Sequence, residues 1–172
     1  MEYKVDIIIP VYNAFESLEK CINSVIKNTD LKNNRLIIID DKSSDKRIFN
    51  YYRELEKNKI KNIKIYRSKK NIGFVGTANR GMGLSNVNDV LLLNSDTVVT
   101  NNWLNNIVKC AYSSDDIATV TPLSNNATIC SVPNFVQDND LPDGFDIDSF
   151  ADLVSTKSLR LYPQLPTAHG FC

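Results

Sequence analysis

Asp96 closes the run Val90-Leu91-Leu92-Leu93-Asn94-Ser95-Asp96, two residues after an amide and one after a hydroxyl. A carboxylate with those neighbours suits a hard cation that keeps some of its waters and bridges phosphate oxygens. A second acidic pair, Asp40-Asp41, follows the apolar run Leu36-Ile37-Ile38-Ile39. A carboxylate there can accept N–H groups of a nucleobase or bond a ribose hydroxyl. A third polar break, Pro10-Val11-Tyr12-Asn13, follows Val5-Asp6-Ile7-Ile8-Ile9, and Tyr12 offers an aromatic face for stacking. Each break alone is also ordinary turn chemistry, because Asn, Ser, Asp and Pro are common turn residues. What matters is whether the chain brings the three together.

The elements that would do so can be read from the pattern. Runs of β-branched and apolar residues predict strands over 5–9, 36–39, 63–66, 89–94 and 117–121. Apolar residues at three- and four-residue spacing predict helices between them. Leu18, Cys21, Ile22, Val25 and Ile26 mark one over 14–28, which Asn13 and Glu16 would open as a capping box. Ile48, Tyr51, Tyr52 and Leu55 mark a second, capped by Ser44 or Asp45. A small-residue loop from Asn71 leads into a third that runs to Leu84. Its Gly76 and Gly81 each cost about 1 kcal/mol relative to Ala, which points to close approach of the backbone to a strand or a ligand. Further helices are expected over 103–112 and 147–161, with a long polar stretch without periodicity at 122–146.

Alternating strands and helices imply an α/β fold: a mostly parallel sheet, right-handed crossovers and helices on both faces. In such a sheet the three polar strand ends lie along one edge, where ligands bind. That convergence favours a functional site over three unrelated turns.

Composition narrows the ligand. With 20 basic and 20 acidic residues the formal net charge is +0, which gives no support to charge-driven nucleic-acid binding. Lys69 and Lys70 lie near where a phosphate could sit, although a solvated helix end and loop explains the local lysine cluster better. The four cysteines are widely spaced and there is one histidine, His169, so a structural zinc site is not expected. Reduced thiols at Cys21 and Cys110 in helix-core positions suggest a cytoplasmic protein. No apolar run approaches membrane-spanning length. A P-loop pattern is missing, the first strand lacks the glycine fingerprint of dinucleotide folds, and His169 has no Ser or Cys partner for acyl transfer. What remains are acids at strand ends with one aromatic: parts that would bind a nucleoside diphosphate carrying a sugar.

Four ordered segments carry a resemblance. They are Asp6-Ile7-Ile8-Ile9-Pro10-Val11-Tyr12-Asn13, Ile38-Ile39-Asp40-Asp41-Lys42-Ser43-Ser44-Asp45, Asn71-Ile72-Gly73-Phe74 through Asn79-Arg80-Gly81, and Leu92-Leu93-Asn94-Ser95-Asp96-Thr97. In this the chain resembles the N-terminal, nucleotide-binding portion of family 2 glycosyltransferases with the GT-A fold. The resemblance implies that Pro10, Tyr12 and Asn13 line the nucleoside pocket and that Asp41 contacts the base, with Asp40 orienting its loop. Asn71, Gly73 and Asn79 would border the nucleotide, with Arg80 near them. Asn94-Ser95-Asp96 would occupy the family's D-x-D position, Asp96 as the ligand of a divalent cation, Mn2+ or Mg2+. Asn94 departs from that motif by replacing an acid with an amide.

The implied activity is a metal-assisted, inverting transfer of a hexosyl-type sugar. The donor would be linked to UDP, dTDP or GDP, and the acceptor a hydroxyl of a glycan or lipid-linked molecule in bacterial cell-surface polysaccharide synthesis. The expected place is the cytoplasm, with the inner membrane face reached through the acceptor or further regions. Residues 1–172 read as one domain, C-terminally incomplete, ending in Ala168-His169-Gly170-Phe171-Cys172. The catalytic base is expected after Cys172, and His169 reads as a polar residue beside the site. Asp143, Asp146 and Asp148 read as loop and helix-start acids. The alternative is a nucleotide-sugar-binding module without turnover. A nucleotidyltransferase is disfavoured, because it requires a glycine- and arginine-rich loop after the first strand.

Overall fold

A computed structural model describes residues 3–168, 170 and 172. The chain divides into two compact units, one up to Val98 and one from Val99 onward. The first holds a four-stranded parallel sheet. Its strands are β1 (Val5–Val11), β2 (Arg35–Asp40), β3 (Ile63–Arg67) and β4 (Asp89–Leu92), in the order β3-β2-β1-β4. Three helices connect them: α1 (Phe15–Asn28), α2 (Lys46–Lys57) and α3 (Gly73–Met82).

The order explains the layering. From β1 to β2 to β3 the chain steps one way across the sheet; from β3 to β4 it steps back past β2 and β1. Right-handed crossovers in opposite directions place α1 and α2 on one face and α3 on the other. The pleat sorts the side chains accordingly. Ile8, Ile37 and Ile39 form a buried cluster with Leu84 and Leu92 on the α3 face. Ile7, Ile9, Leu36 and Ile38, all fully buried, point to the other face. There α1 contributes Leu18, Cys21, Ile22 and Val25, and α2 contributes Ile48, Tyr51, Tyr52 and Leu55.

The two helical glycines have different explanations. A Cβ at Gly81 would sit 2.3 Å from Cγ2 of Ile8 and 3.1 Å from Cγ1 of Ile39, so α3 lies against β1 and β2 where only glycine fits. At Gly76 the atoms nearest a Cβ belong to the Ile72 side chain, the first at 3.2 Å. Gly81→Ala is therefore expected to destabilise the protein by about 1–3 kcal/mol through overpacking, read as a lower urea midpoint. Gly76→Ala should cost less.

A buried ion pair fixes the other end of the sheet. Asp6 is 0% exposed. Its carboxylate accepts from Arg35 Nε at 2.6 Å, from the Arg35 guanidinium a second time, and from Asn88 Nδ2 at 2.9 Å. It thereby links β1, β2 and the approach to β4. Burial pushes the Asp6 carboxyl up, but hydrogen bonds from Arg35, Ser85 and Asn88 outweigh it, leaving a net value below the ordinary 3.8. A depressed carboxyl stabilises fully above its unfolded value and loses that contribution as pH falls through the lower folded value. Asp6→Ala should cost about 2 kcal/mol, below the usual penalty for a broken buried pair because Arg35 is partly solvated. Urea midpoints of the variant and the parent should converge below pH 4.

The second unit contains α4 (Trp103–Ala111), a short antiparallel pair, β5 (Asn126–Ala127) with β6 (Gln137–Asp138), and α5 (Ile147–Lys157). Three sequence expectations change here. The strand expected over 117–121 is absent: those residues take no regular secondary structure, since β propensity without a ladder partner does not make a strand. The stretch 122–146 is not featureless. Buried Asn139 donates to Ser131 Oγ and to the Asn134 carbonyl in the β5–β6 loop, each at 2.9 Å, and to the Asn125 carbonyl beside β5 at 3.3 Å. The last helix stops at Lys157 rather than 161, with extended Ser158 as its cap.

Cys110 is half-buried rather than a core thiol, while Cys21 and Cys130 are buried. Among the described residues no helix is long and apolar enough to cross a membrane.

Candidate functional site

The carboxyl ends of β1, β2 and β4 surround a cleft of about 320 Å³ in the first unit. It lies where the strand order reverses direction, between β1 and β4, the position at which open α/β sheets bind ligands. Pro10, Val11 and Tyr12 line it from β1, Asp41 from β2, and Asn94, Ser95 and Asp96 from the turn after β4. Asn71, Gly73, Phe74 and Thr77 close it from the start of α3. Eight of the ten residues singled out in the sequence thus share one cleft.

Each is held by a specific local device. Asp40 is fully buried and points back into the fold. It accepts from Ser43 N at 2.9 Å and from the Tyr52 hydroxyl at 3.3 Å, with Arg67 Nε 3.5 Å away. Burial and the Asp40 charge push the Tyr52 hydroxyl well up, so it stays a donor. Asp40 therefore shapes the loop that presents Asp41. The Asp41 carboxylate caps α3: Ile72 N donates to Oδ1 at 2.9 Å and to Oδ2 at 3.1 Å, and Gly73 N donates to Oδ2 at 2.8 Å. Asn71 Oδ1 also accepts from Gly73 N, at 3.1 Å. Gly73 has φ +76, a left-handed conformation that a side chain would strain. Thr77 donates back to the Gly73 carbonyl at 2.8 Å. With four lone pairs on Asp41 and three bonds made, one acceptor position is left for a ligand.

The turn after β4 is closed by Thr97 N donating to the Asn94 carbonyl at 3.2 Å. The Cys21 thiol of α1 donates to the same carbonyl at 3.5 Å. Burial pushes that thiol up to about 12, with the nearby Asp96 charge adding to the effect and a Thr97 backbone bond opposing it. On this turn the Asn94 side-chain oxygen Oδ1 is buried with no hydrogen-bond partner. A buried acceptor left without a donor costs about 1–3 kcal/mol, which a ligand donor would recover.

Two expected residues lie elsewhere. Asn13 does not line the cleft. Its N–H donates to Ser43 Oγ at 2.8 Å, and its Oδ1 accepts from Ser44 N at 2.9 Å and Asp45 N at 3.4 Å. It clamps the loop after β2 instead. The expected capping box at α1 is therefore absent: Asn13 and Ala14 are both left-handed, and Glu16 pairs with Arg47. Asn79 is exposed on α3 outside the cleft lining, because Thr77, Ala78 and Gly81 take that helix's buried positions. Arg80, expected near the nucleotide, donates to Ser68 Oγ at 2.8 Å.

Three lining residues were not singled out in the sequence: Val11, Phe74 and Thr77. Phe74 could have been, since it directly follows Gly73 at the mouth of the loop. Tyr12 and Phe74 are 57% and 53% exposed, so two aromatic faces stand open at one cleft. Of the acids set aside, Asp146 caps α5 by accepting from Ser149 N at 2.8 Å. His169 lies outside the described residues.

The donor set fits a divalent cation of a particular kind. Asp41 is committed to backbone amides, so Asp96 is the carboxylate available, beside Ser95 and the unpartnered Asn94 Oδ1. Among the described residues there is no group of three His, Cys, Asp or Glu that could cage an ion. One carboxylate and neutral oxygens suit a hard cation that completes its shell with phosphate oxygens and water.

Comparison with known proteins gives a consistent picture. A family model described as "Glycosyl transferase family 2" matches residues 6–129. An uncharacterized glycosyltransferase of Haemophilus influenzae is 30% identical over 113 residues, 66% of this chain and 34% of its own length. Glycosyltransferase GlyA of Streptococcus pneumoniae is 28% identical over 108 residues, 62% of this chain and 15% of its own length. The chain thus spans well under two thirds of the curated relatives it matches.

Among solved structures, a mannosyltransferase, PcManGT of Pyrobaculum calidifontis, in complex with GDP-Man and Mn2+, aligns with TM-score 0.61 and 16% identity over 71% of this chain and 35% of that one. TarS 1–349 of S. aureus in complex with UDP-GlcNAc aligns with TM-score 0.54 and 21% identity over 63% of this chain and 31% of that one. At these identities the two structures bear on the fold, which is the α/β architecture of GT-A glycosyltransferases.

Proposed function

Because the chain belongs to glycosyl transferase family 2, we propose that its cleft binds a nucleoside diphosphate sugar and supplies the donor half of a sugar transfer. The carrying observation is the convergence of Tyr12, Asp41 and Asn94–Asp96 on one cleft at the strand-order reversal, with a buried Asn94 oxygen lacking a donor. Tyr12 and Phe74 offer faces to the base, and the free lone pair of Asp41 accepts a base N–H. Asn94 Oδ1 accepts a ribose hydroxyl. Asp96 faces the diphosphate and would hold a divalent cation, Mn2+ or Mg2+, together with its oxygens. Such a cation supplies charge neutralisation of the departing nucleoside diphosphate.

In this reading an acceptor hydroxyl displaces the nucleoside diphosphate at the anomeric carbon with inversion. The acceptor is a hydroxyl on a glycan or lipid-linked molecule, as in cell-surface polysaccharide synthesis. No residue of the 172 is assigned the deprotonation of that hydroxyl. The donor is hexosyl-type, linked to UDP, dTDP or GDP. The sugar-nucleotide complexes of TarS and PcManGT are compatible with this range.

The test is turnover of UDP-, GDP- and dTDP-sugars by the full-length protein with Mn2+, followed as nucleoside diphosphate release with a glycan acceptor. Release stimulated by the acceptor supports transfer. Tight binding without release, in both presence and absence of acceptor, favours a binding module, a reading motivated by the amide at Asn94.

A further inference from the structure

Cys21 sits behind the cleft rather than in it, and the site described above does not use it. It is fully buried on α1, between Leu18, Ile22 and Val25, which are themselves fully buried. Its thiol donates to the Asn94 carbonyl, at 3.5 Å, across 73 residues of sequence. That carbonyl also closes the turn by accepting from Thr97 N. The direction of the Asn94 carbonyl sets the plane of the Asn94–Ser95 peptide, and so the course of the chain to Asp96. The side chain of the same Asn94, a residue of the cleft lining, carries the unpartnered buried oxygen. Groups that must meet a ligand are held to useful precision only when packed neighbours lock them.

We propose that Cys21 is a positioning residue: its thiol, fixed by the α1 core, orients the Asn94–Thr97 turn so that Asn94 Oδ1 and the Asp96 carboxylate meet the ribose-diphosphate part of the ligand together. The inference rests on the nucleoside-diphosphate reading of the cleft. The bland alternative is a small buried thiol that only fills space. The two differ in what they predict. A space filler affects folding stability and treats all ligands alike. A positioning thiol affects the diphosphate end of the cleft and spares the base end, which Tyr12 and Asp41 serve.

The experiment compares the protein with its Cys21→Val, Cys21→Ala and Cys21→Ser variants. Affinities are measured for UDP, GDP and dTDP, each with Mn2+, and for uridine, guanosine and thymidine, alongside melting temperatures. Val and Ala lack the donor and bracket Cys in size. Both should weaken the tightest diphosphate about three- to tenfold, the effect of one weak hydrogen bond, and should weaken the matching nucleoside, which meets Asn94 but not Asp96, by a smaller factor. Ser restores a donor and should return the diphosphate to within about twofold of the parent.

Equal losses for diphosphate and nucleoside, intact affinities in both donor-less variants, or failure of Ser to restore binding would overturn the inference. Loss of folding in both donor-less variants assigns Cys21 to the core and overturns it as well. If the unaltered protein binds none of the three diphosphates, the reading of the cleft falls and takes this inference with it. If it binds one and only the Cys21 result fails, the reading of the cleft stands.

Discussion

Asp96→Ala should lower sugar transfer by about 100- to 1,000-fold, equivalent to roughly 2.7–4 kcal/mol of lost transition-state stabilisation. The size follows from its being the cleft's uncommitted carboxylate. Asp41 spends three of its lone pairs on the amides of Ile72 and Gly73, and Asn94 brings an amide where an acid would add a second charge. With Asp96 gone, Asn94 and Ser95 offer only neutral oxygens to a cation at the diphosphate. The loss should fall on the charge that develops on the leaving group, hence on kcat, and on the Mn2+-dependent part of diphosphate affinity. Nucleoside affinity should stay within about twofold, because Asp96 contacts neither base nor ribose in this arrangement. The fold should be untouched, since Asp96 is exposed. Asp96→Asn should recover little, as its oxygen carries no net charge. Steady-state kinetics with the preferred donor, together with nucleoside titrations, check both halves.

Asp41→Ala should act at the opposite end of the ligand. Losing a charged acceptor for a base N–H costs about 1.5–3 kcal/mol, or about 10- to 100-fold in affinity. The same substitution strips the Ile72 and Gly73 amides of their acceptor, a helix-cap loss worth about 1 kcal/mol. The start of α3 should loosen, and with it Asn71, Phe74 and Thr77 at the cleft wall. Binding of nucleoside and diphosphate should therefore fall together, with and without Mn2+. The pattern of losses separates the residues: Asp41 affects every ligand, Asp96 only those with a diphosphate and a cation. Asp41→Asn should lie between, because its amide oxygen can accept one N–H while its Nδ2 opposes a second. Calorimetry on both variants, with urea denaturation to isolate the cap effect, reads the difference.

The sequence carries the sheet plainly because each strand is a β-branched or apolar run ended by polar residues. Val5–Val11, Arg35–Asp40, Ile63–Arg67 and Asp89–Leu92 each overlap the expected strand closely. Parallel strands covered on both faces have this signature, and the alternation with helices then dictates which ends converge. The strand expected over 117–121 shows the limit of the same signal. Its residues have strand propensity, yet they find no ladder to join. The β5–β6 pair is the converse: two residues per strand, no alternation, with the Asn139 side chain bonded to the Asn125 carbonyl beside β5 and to the loop between them. Side-chain bonds across a loop leave no periodic trace.

Asn13 illustrates the same point at the cleft. Its spacing from Glu16 is that of a capping box, and only the fold shows that its side chain serves Ser44 and Asp45, more than thirty residues away. Asp41 was legible as a strand-end acid. Its second task, capping α3, was not, because the partner amides lie 31 and 32 residues further on. The Gly81 contact was half legible: a helical glycine demands a reason, and the reason proved to be Ile8 and Ile39.

The most direct test is calorimetric titration of the protein with UDP, GDP and dTDP, each with and without Mn2+. A nucleoside diphosphate cleft predicts one-to-one binding of at least one of them, tightened by Mn2+, with the Mn2+-dependent part lost in Asp96→Ala. Absence of binding by all three, or binding indifferent to both Mn2+ and Asp96→Ala, contradicts it.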